Sequence, residues 1–181
     1  MDRAKVMPML KGVLVLAVIA LCSGLLLGAF NILTYVDPLQ ATYEQFAADT
    51  GATFSAMKDE EGQTFGSGSV VYYAVSDDGQ YHAFLASGSG GYGGNVQMYV
   101  YIRDGMIYKI VAGENSETFM GNLESSETFY AQFLNVPVAE LLDGSGTDYV
   151  SGATRSSTAV TAAIGAAAKY YDLYLTEAAN G

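Results

Sequence analysis

Ser69-Val70-Val71-Tyr72-Tyr73-Ala74-Val75, then Asp77-Asp78-Gly79, then Tyr81-His82-Ala83-Phe84-Leu85-Ala86: two runs of β-branched and aromatic residues flank an aspartate-glycine turn. That pattern reads as a β-hairpin. Further along the chain it repeats, with Val96 to Ile102, a turn at Asp104-Gly105, and Met106 to Val111. The sheet is therefore expected to be mostly antiparallel. Ser126 to Leu142 is expected to be helical in pieces, with Phe129, Tyr130 and Phe133 on one face and Pro137 as an interruption. The last pattern, Ser157 to about Leu175, places Val160, Ile164, Ala167 or Ala168, Tyr171 and Leu175 on one stripe at helical spacing. Such a stripe packs on a sheet. The expected fold class is α+β, one domain with a mostly antiparallel sheet and flanking helices.

Toward the N-terminus, Asp59-Glu60-Glu61-Gly62 reads as a solvated turn, Tyr43 to Phe54 has mixed helical character, and Pro38 ends or kinks a preceding helix. Before it, Arg3, Lys5 and Lys11 precede an apolar run from Gly12 to Leu33, interrupted only by Ser23 and Asn31. At about 1.5 Å per residue a helix over this run covers the roughly 30 Å hydrocarbon core of a bilayer. It exceeds the apolar stretch of a secretory signal, and no small-x-small cleavage site ends it. A lipoprotein signal at Cys22 is disfavoured because bulky Leu21 precedes it and the apolar run continues beyond it. No basic residue follows the run until Lys58, so the bias of positive charge toward the cytoplasm places the N-terminus inside. The expectation is a single-pass cell-membrane protein: residues 1–36 form the cytoplasmic N-terminus and transmembrane anchor, and residues 37–181 an extracytoplasmic domain.

Composition narrows the chemistry. Across 181 residues, half are hydrophobic and the formal net charge is −11, which suits a packed core and opposes a nucleic-acid partner that needs a basic footprint. One cysteine excludes an internal disulfide, and one His with one Cys is too few for a Cys/His metal site. His82 reads as a strand residue rather than a catalytic one. No Ser/His/acid set suggests a hydrolase. Ser87-Gly88-Ser89-Gly90-Gly91-Tyr92-Gly93-Gly94 precedes a strand rather than following one, so it is neither a Rossmann fingerprint nor a Walker loop. By itself it reads as a surface loop.

The stretch that carries chemistry is Asp148-Tyr149-Val150-Ser151-Gly152-Ala153-Thr154-Arg155-Ser156-Ser157. Gly144, Ser145 and Gly146 break the chain before it, and Ser151-Gly152 leads tightly into the alanine-rich helix. Thr154 thus lies near a helix start, where unpaired N–H groups and the helix dipole favour an anion such as phosphate. Its hydroxyl is a candidate attachment point. The competing reading is an ordinary Ser/Thr helix cap that binds nothing.

Asp148-x-x-Ser151-Gly152-Ala153-Thr154 resembles the flavinylation motif of the FMN-binding domain in the G subunit of the Rnf electron-transport complex and the C subunit of the sodium-translocating NADH:quinone reductase. The apolar segment ending in Phe30, Asn31 and Thr34, and Gly91-Tyr92-Gly93-Gly94 leading into a strand, are similar to that family as well. Its His-x-Glu-Thr-Pro-Gly loop has a counterpart in Asn115-Ser116-Glu117-Thr118-Phe119-Met120-Gly121. There Asn115 replaces the histidine and Phe119 the proline, and Gly121 aligns if Met120 is an insertion. The resemblance implies covalent FMN, joined by a flavin transferase through its phosphate to Thr154. It implies that Ser151, Gly152, Ala153, Arg155 and Ser156 surround the phosphate and that Asp148 belongs to the motif. It also implies that Tyr92, Gly94, Glu117 and Thr118 line the ring or ribityl chain. No catalytic side chain and no metal are implied. The function so implied is that of an electron-carrier subunit of an ion-translocating ferredoxin:NAD oxidoreductase, partnered by the other membrane subunits. A stand-alone flavinylated carrier and a non-redox anchored binding module remain as alternatives.

Overall fold

The structure is a computed structural model that describes residues 3–35, 38–59, 62–142 and 146–176. The turn expected at Glu60-Glu61 and the break expected at Gly144-Ser145 lie outside the described residues. The chain divides into two compact units, Met1–Ala41 and Thr42–Gly181.

The first unit is dominated by helix α1, Arg3–Thr34. From Gly12 to Leu33 it is apolar all round, its side chains from Lys11 onward are exposed, and it is long and apolar enough to cross a membrane. Helix α2, Pro38–Thr50, follows. Pro38 opens this helix, a position where its missing N–H costs nothing. The helix stops before the expected Phe54 because Gly51 takes a left-handed φ of 73° and donates its N–H to the Ala47 carbonyl at 2.8 Å.

The second unit is built on an antiparallel sheet of six strands: β1 Met57–Asp59, β2 Gln63–Phe65, β3 Gly68–Val75, β4 His82–Gly88, β5 Val96–Arg103 and β6 Met106–Ala112. The order is β1-β3-β4-β5-β6, with β2 also pairing with β3. The four longer strands fall where the alternating runs predict them. The turn between β5 and β6 has two residues, Asp104 and Gly105, both at positive φ (52° and 72°), which matches the twist of a tight hairpin. Strands β1 and β2 went unrecognised in the sequence, because three residues are too few to display alternation.

Alternate residues of β3, β4 and β5 feed two cores. On one side of the sheet Phe84, Ala86, Val96, Met98, Val100 and Ile102 join the buried stripe of helix α4, Thr154–Tyr171. On the other, Ala74, Ala83, Leu85 and Tyr101 surround Phe46 of α2. The α4 side is packed unusually close. Gly68 and Gly88 are register partners, and a Cβ on them would collide with the carbonyls of Ala162 and Ala159 respectively. Only glycine in the strands and alanine on the helix permit this approach.

Two expectations need correction. Helix α4 begins at Thr154, three residues earlier than its apolar stripe suggested, and passes at Asp172–Thr176 into a wider π turn. Ser126 to Leu142 contains only two 3-10 turns, Ala131–Phe133 and Val138–Glu140. Its backbone groups go elsewhere. Asn135, at a φ of 60°, donates to the Ile107 carbonyl at 2.8 Å, Ile107 donates to Val136 at 3.1 Å, and Val138 donates to Gly105 at 3.0 Å. The segment covers the β6 edge, as an exposed edge strand requires, and Pro137 takes the bridge position facing Met106. Phe129 and Phe133 are buried, and Tyr130 is half-buried. A short helix α3, Met120–Glu124, precedes this segment.

Candidate functional site

The start of α4 is the place to build from. Gly152 turns the chain at a φ of 80°, which a side chain would resist, and Ala153 is the residue that flanks the helix. Alanine has no side chain with which to cap, and no side-chain hydrogen bond closes this helix end. Thr154 is therefore the first helical residue rather than the cap, so the Ser/Thr-cap reading of it fails. The N–H groups of Thr154, Arg155 and Ser156 have no acceptor one turn earlier within the helix. The Thr154 side chain is exposed beside them.

The approach to this point is fixed from below. The buried Ser157 hydroxyl donates to the Ala153 carbonyl at 3.0 Å and accepts from the Val150 N–H at 3.2 Å. Ala153 itself is fully buried. One step further out, the Gln132 side chain holds the Asp148 backbone at both ends, accepting from its N–H at 2.8 Å and donating to its carbonyl at 3.0 Å. Sequence reasoning missed Gln132 and the bracing role of Ser157. Nothing in the pattern marks Gln132, whereas Ser157, one turn after Ala153, carries the weak signal of a hydroxyl placed to bond backward.

On one flank lies Glu117, buried to 8% exposure. Its carboxylate accepts from the Ser156 hydroxyl at 2.6 Å and from the Gly93 N–H at 2.9 Å. Burial works to raise its pKa, but these bonds overcome that and hold it below the ordinary carboxylate value. Glu117 thus ties three segments together: the glycine loop, its own loop and α4. The glycine loop has to be bare to do this, because a Cβ on Gly91 would strike the Glu117 carboxylate and one on Gly93 the Ser116 carbonyl. Asn115 shapes the same turn, accepting from the Glu117 N–H at 3.1 Å and donating to the Gly113 carbonyl at 2.9 Å. An asparagine does this without titrating.

Arg155 reaches from α4 to the same loop. Its Nε donates to the Gly90 carbonyl at 3.2 Å, and its guanidinium lies 5.0 Å from the centre of the Tyr92 ring. Tyr92, 59% exposed, meets the half-buried Phe119 edge-on at 5.1 Å. The structure therefore brings Thr154, Arg155, Ser156, Glu117 and Tyr92 into one contiguous neighbourhood. Ser151, Gly152, Gly94 and Thr118 are exposed in its loops, and Asp148 is exposed on the lead-in.

Chemically, this end of α4 offers an accessible hydroxyl, unpaired N–H donors and one guanidinium with donors to spare. Those groups suit a phosphate ester, and an FMN phosphate fits the donor set. His82 lies elsewhere. It shares a 2.8 Å hydrogen bond with the buried Tyr73 hydroxyl, and burial lowers its pKa, as befits a packed strand histidine. Among the described residues no group of His, Cys, Asp and Glu side chains has the arrangement of a metal site.

Residues 91–169 match the FMN-binding domain family. The match runs from the glycine loop through Glu117 and the Thr154 turn into the body of α4. It points to a flavin-binding, electron-transfer role. No curated protein and no solved structure matches the chain.

Proposed function

From a domain whose residues 91–169 match the FMN-binding family, we propose a membrane-anchored electron carrier with FMN esterified through its phosphate to Thr154, serving as a subunit of an Rnf-type ion-translocating ferredoxin:NAD oxidoreductase. The observation that carries the proposal is the uncapped start of α4, with an exposed threonine at its first position. A flavin transferase is the maturation partner, and the other membrane subunits are the redox partners. In this reading α1 spans the cell membrane with its N-terminus in the cytoplasm, and the sheet domain is extracytoplasmic.

When bound, the isoalloxazine ring supplies the redox chemistry. The protein holds and orients it. The N–H groups of Thr154 to Ser156 and the Arg155 guanidinium offset the phosphate charge, with the helix dipole adding to them. Tyr92 and Phe119 offer aromatic surface beside the anchor, with Gly94 and Thr118 on the same rim. Glu117 works indirectly: its clamp on Ser156 and Gly93 fixes the distance between the helix start and the loop that faces it. No side chain has to donate or abstract a proton for electrons to pass.

Co-expression of the full chain with a flavin transferase tests this reading by in-gel flavin fluorescence after denaturation. The expected result is a fluorescent band retained in Thr154→Ser and absent in Thr154→Ala. A dark wild-type band beside a labelled control substrate of the same transferase would overturn it. Complex membership is tested by affinity purification from the native membrane, where the other subunits should co-purify.

A further inference from the structure

A second feature of α4 lies away from the Glu117 flank. Beginning at Thr158, one turn after Thr154, the helix borders a cavity of about 180 Å³ that ends at Lys169. Phe65 of β2, Leu142 and Tyr149 provide its aromatic and aliphatic walls, and Gly165 leaves room on the helix side.

Two polar groups in this cavity lack the partners that such groups ordinarily have. Thr161, only 8% exposed, lines it, and its hydroxyl is buried with no hydrogen-bond partner. A helical threonine commonly bonds back to the carbonyl one turn earlier, as Thr158 does to Thr154 at 2.8 Å. Thr161 does not, and an unsatisfied buried hydroxyl costs stability. Lys169 is the other. Among the described residues it is the only charged one lining the cavity, and it makes no ion pair or hydrogen bond.

We propose that this cavity seats a small planar aromatic acid. An apolar space of about 150 Å³ holds a benzene ring, so the volume here admits one ring, or two fused rings projecting partly from the open side. Phe65 and Tyr149 offer aromatic surface to such a ring. Lys169 pairs with the carboxylate, and the Thr161 hydroxyl, turned about χ1 from its buried orientation, donates to an acceptor on the ligand. The carboxylate is required by the charge: an ammonium with no Asp or Glu beside it among the described residues selects an anion over a neutral or cationic ring. This assignment does not depend on the flavin, since the residues that would touch the ligand, Phe65, Tyr149, Thr161 and Lys169, are not among those placed around the phosphate or the ring.

The probe is naphthalene-2-carboxylate, titrated into the full chain in detergent micelles and followed by backbone amide shifts, with 2-naphthamide as a neutral control of the same shape. Wild-type protein and Thr154→Ala should both show saturable shifts at Thr161 and Lys169. Lys169→Met should weaken binding about tenfold or more, an ion-pair effect, and the amide should bind the wild type correspondingly weakly. Thr161→Val should weaken binding several-fold while leaving the melting temperature unchanged or higher, because it removes an unsatisfied hydroxyl at constant shape. Absence of saturable binding, or equal affinity in wild type and Lys169→Met, would overturn the proposal. Equal affinity in wild type and Thr161→Val would remove Thr161 from it.

Discussion

The two faces of the sheet are held by different physics. Under the first half of α4 the contact is backbone against backbone: Gly68 and Gly88 let the carbonyls of Ala162 and Ala159 descend onto the strands, and large rings meet only toward its C-terminal end, where Tyr170 packs on Tyr73 and Phe84. Under α2 the contact is made by large side chains. Phe46, fully buried, meets Tyr99 and Tyr101 edge-on, each at 5.9 Å, and Asp49 binds Lys109 at 2.8 Å and the Tyr101 hydroxyl at 2.6 Å. The first arrangement fixes a helix rigidly and tolerates no added atom. The second depends on charge and so on pH. The candidate anchor sits on the helix of the rigid face, which suits a site whose geometry must not drift.

The largest effect is expected where the rigid face is forced apart. Gly88→Val drives a side chain into the Ala159 carbonyl and should destabilise the full chain by about 3 kcal/mol in denaturant unfolding. A loss below about 1 kcal/mol would mean that α4 can ride higher on the sheet than the packing implies.

Next is the clamp at the front of the same helix. Glu117→Ala leaves the buried Ser156 hydroxyl and the Gly93 N–H without their acceptor, at a cost of about 2 kcal/mol. Hydrogen exchange should rise in the glycine loop and the first turn of α4, but not in β3. Uniform exchange throughout the domain would contradict a local clamp.

On the other face, Asp49→Asn should cost about 1–2 kcal/mol near neutrality, moderated because Lys109 is 40% exposed. Burial opposes ionisation of Asp49, but its bonds to Lys109, Tyr101 and Gln45 outweigh that, so its pKa lies below the ordinary value. The folded form therefore binds fewer protons than the unfolded one. The stabilisation is fully present above the unfolded-chain pKa of about 3.9 and is lost as pH falls through the lower folded value. Melting temperature should fall less steeply with acidification in Asp49→Asn than in wild type, because Glu117 contributes its own share in both.

His82 should give the smallest effect. Burial lowers its pKa, so the unfolded chain takes up a proton first, and stability declines as pH falls from about 6.5 through the folded value. A substitution that cannot titrate, His82→Gln, should flatten that slope. An unchanged slope would place its origin elsewhere.

The same contrast explains what was legible in the sequence. Alternation and the Asp-Gly turns disclosed the four longer strands, because those patterns are local. The stripe from Val160 to Leu175 disclosed the closing helix for the same reason. Its start was not legible from apolar spacing, since Ala153 is held by Ser157, and Ser156 by Glu117, whose carboxylate lies 39 positions away in the chain. The Ser126 to Leu142 segment misled, because its aromatic spacing mimics a helix while its backbone bonds are taken by β6. Of the candidate site, Thr154 was legible as a motif residue. The clamping role of Glu117 and the bracing by Gln132 were not, because both depend on contacts between remote segments.

The most direct test of the account is peptide mass mapping of the full chain matured with a flavin transferase. The prediction is one modified peptide, containing Thr154 and heavier by one FMN less one water, with fragment ions placing the added mass on Thr154. Modification at another residue, or an unmodified Thr154 peptide in protein exposed to active transferase, would contradict it.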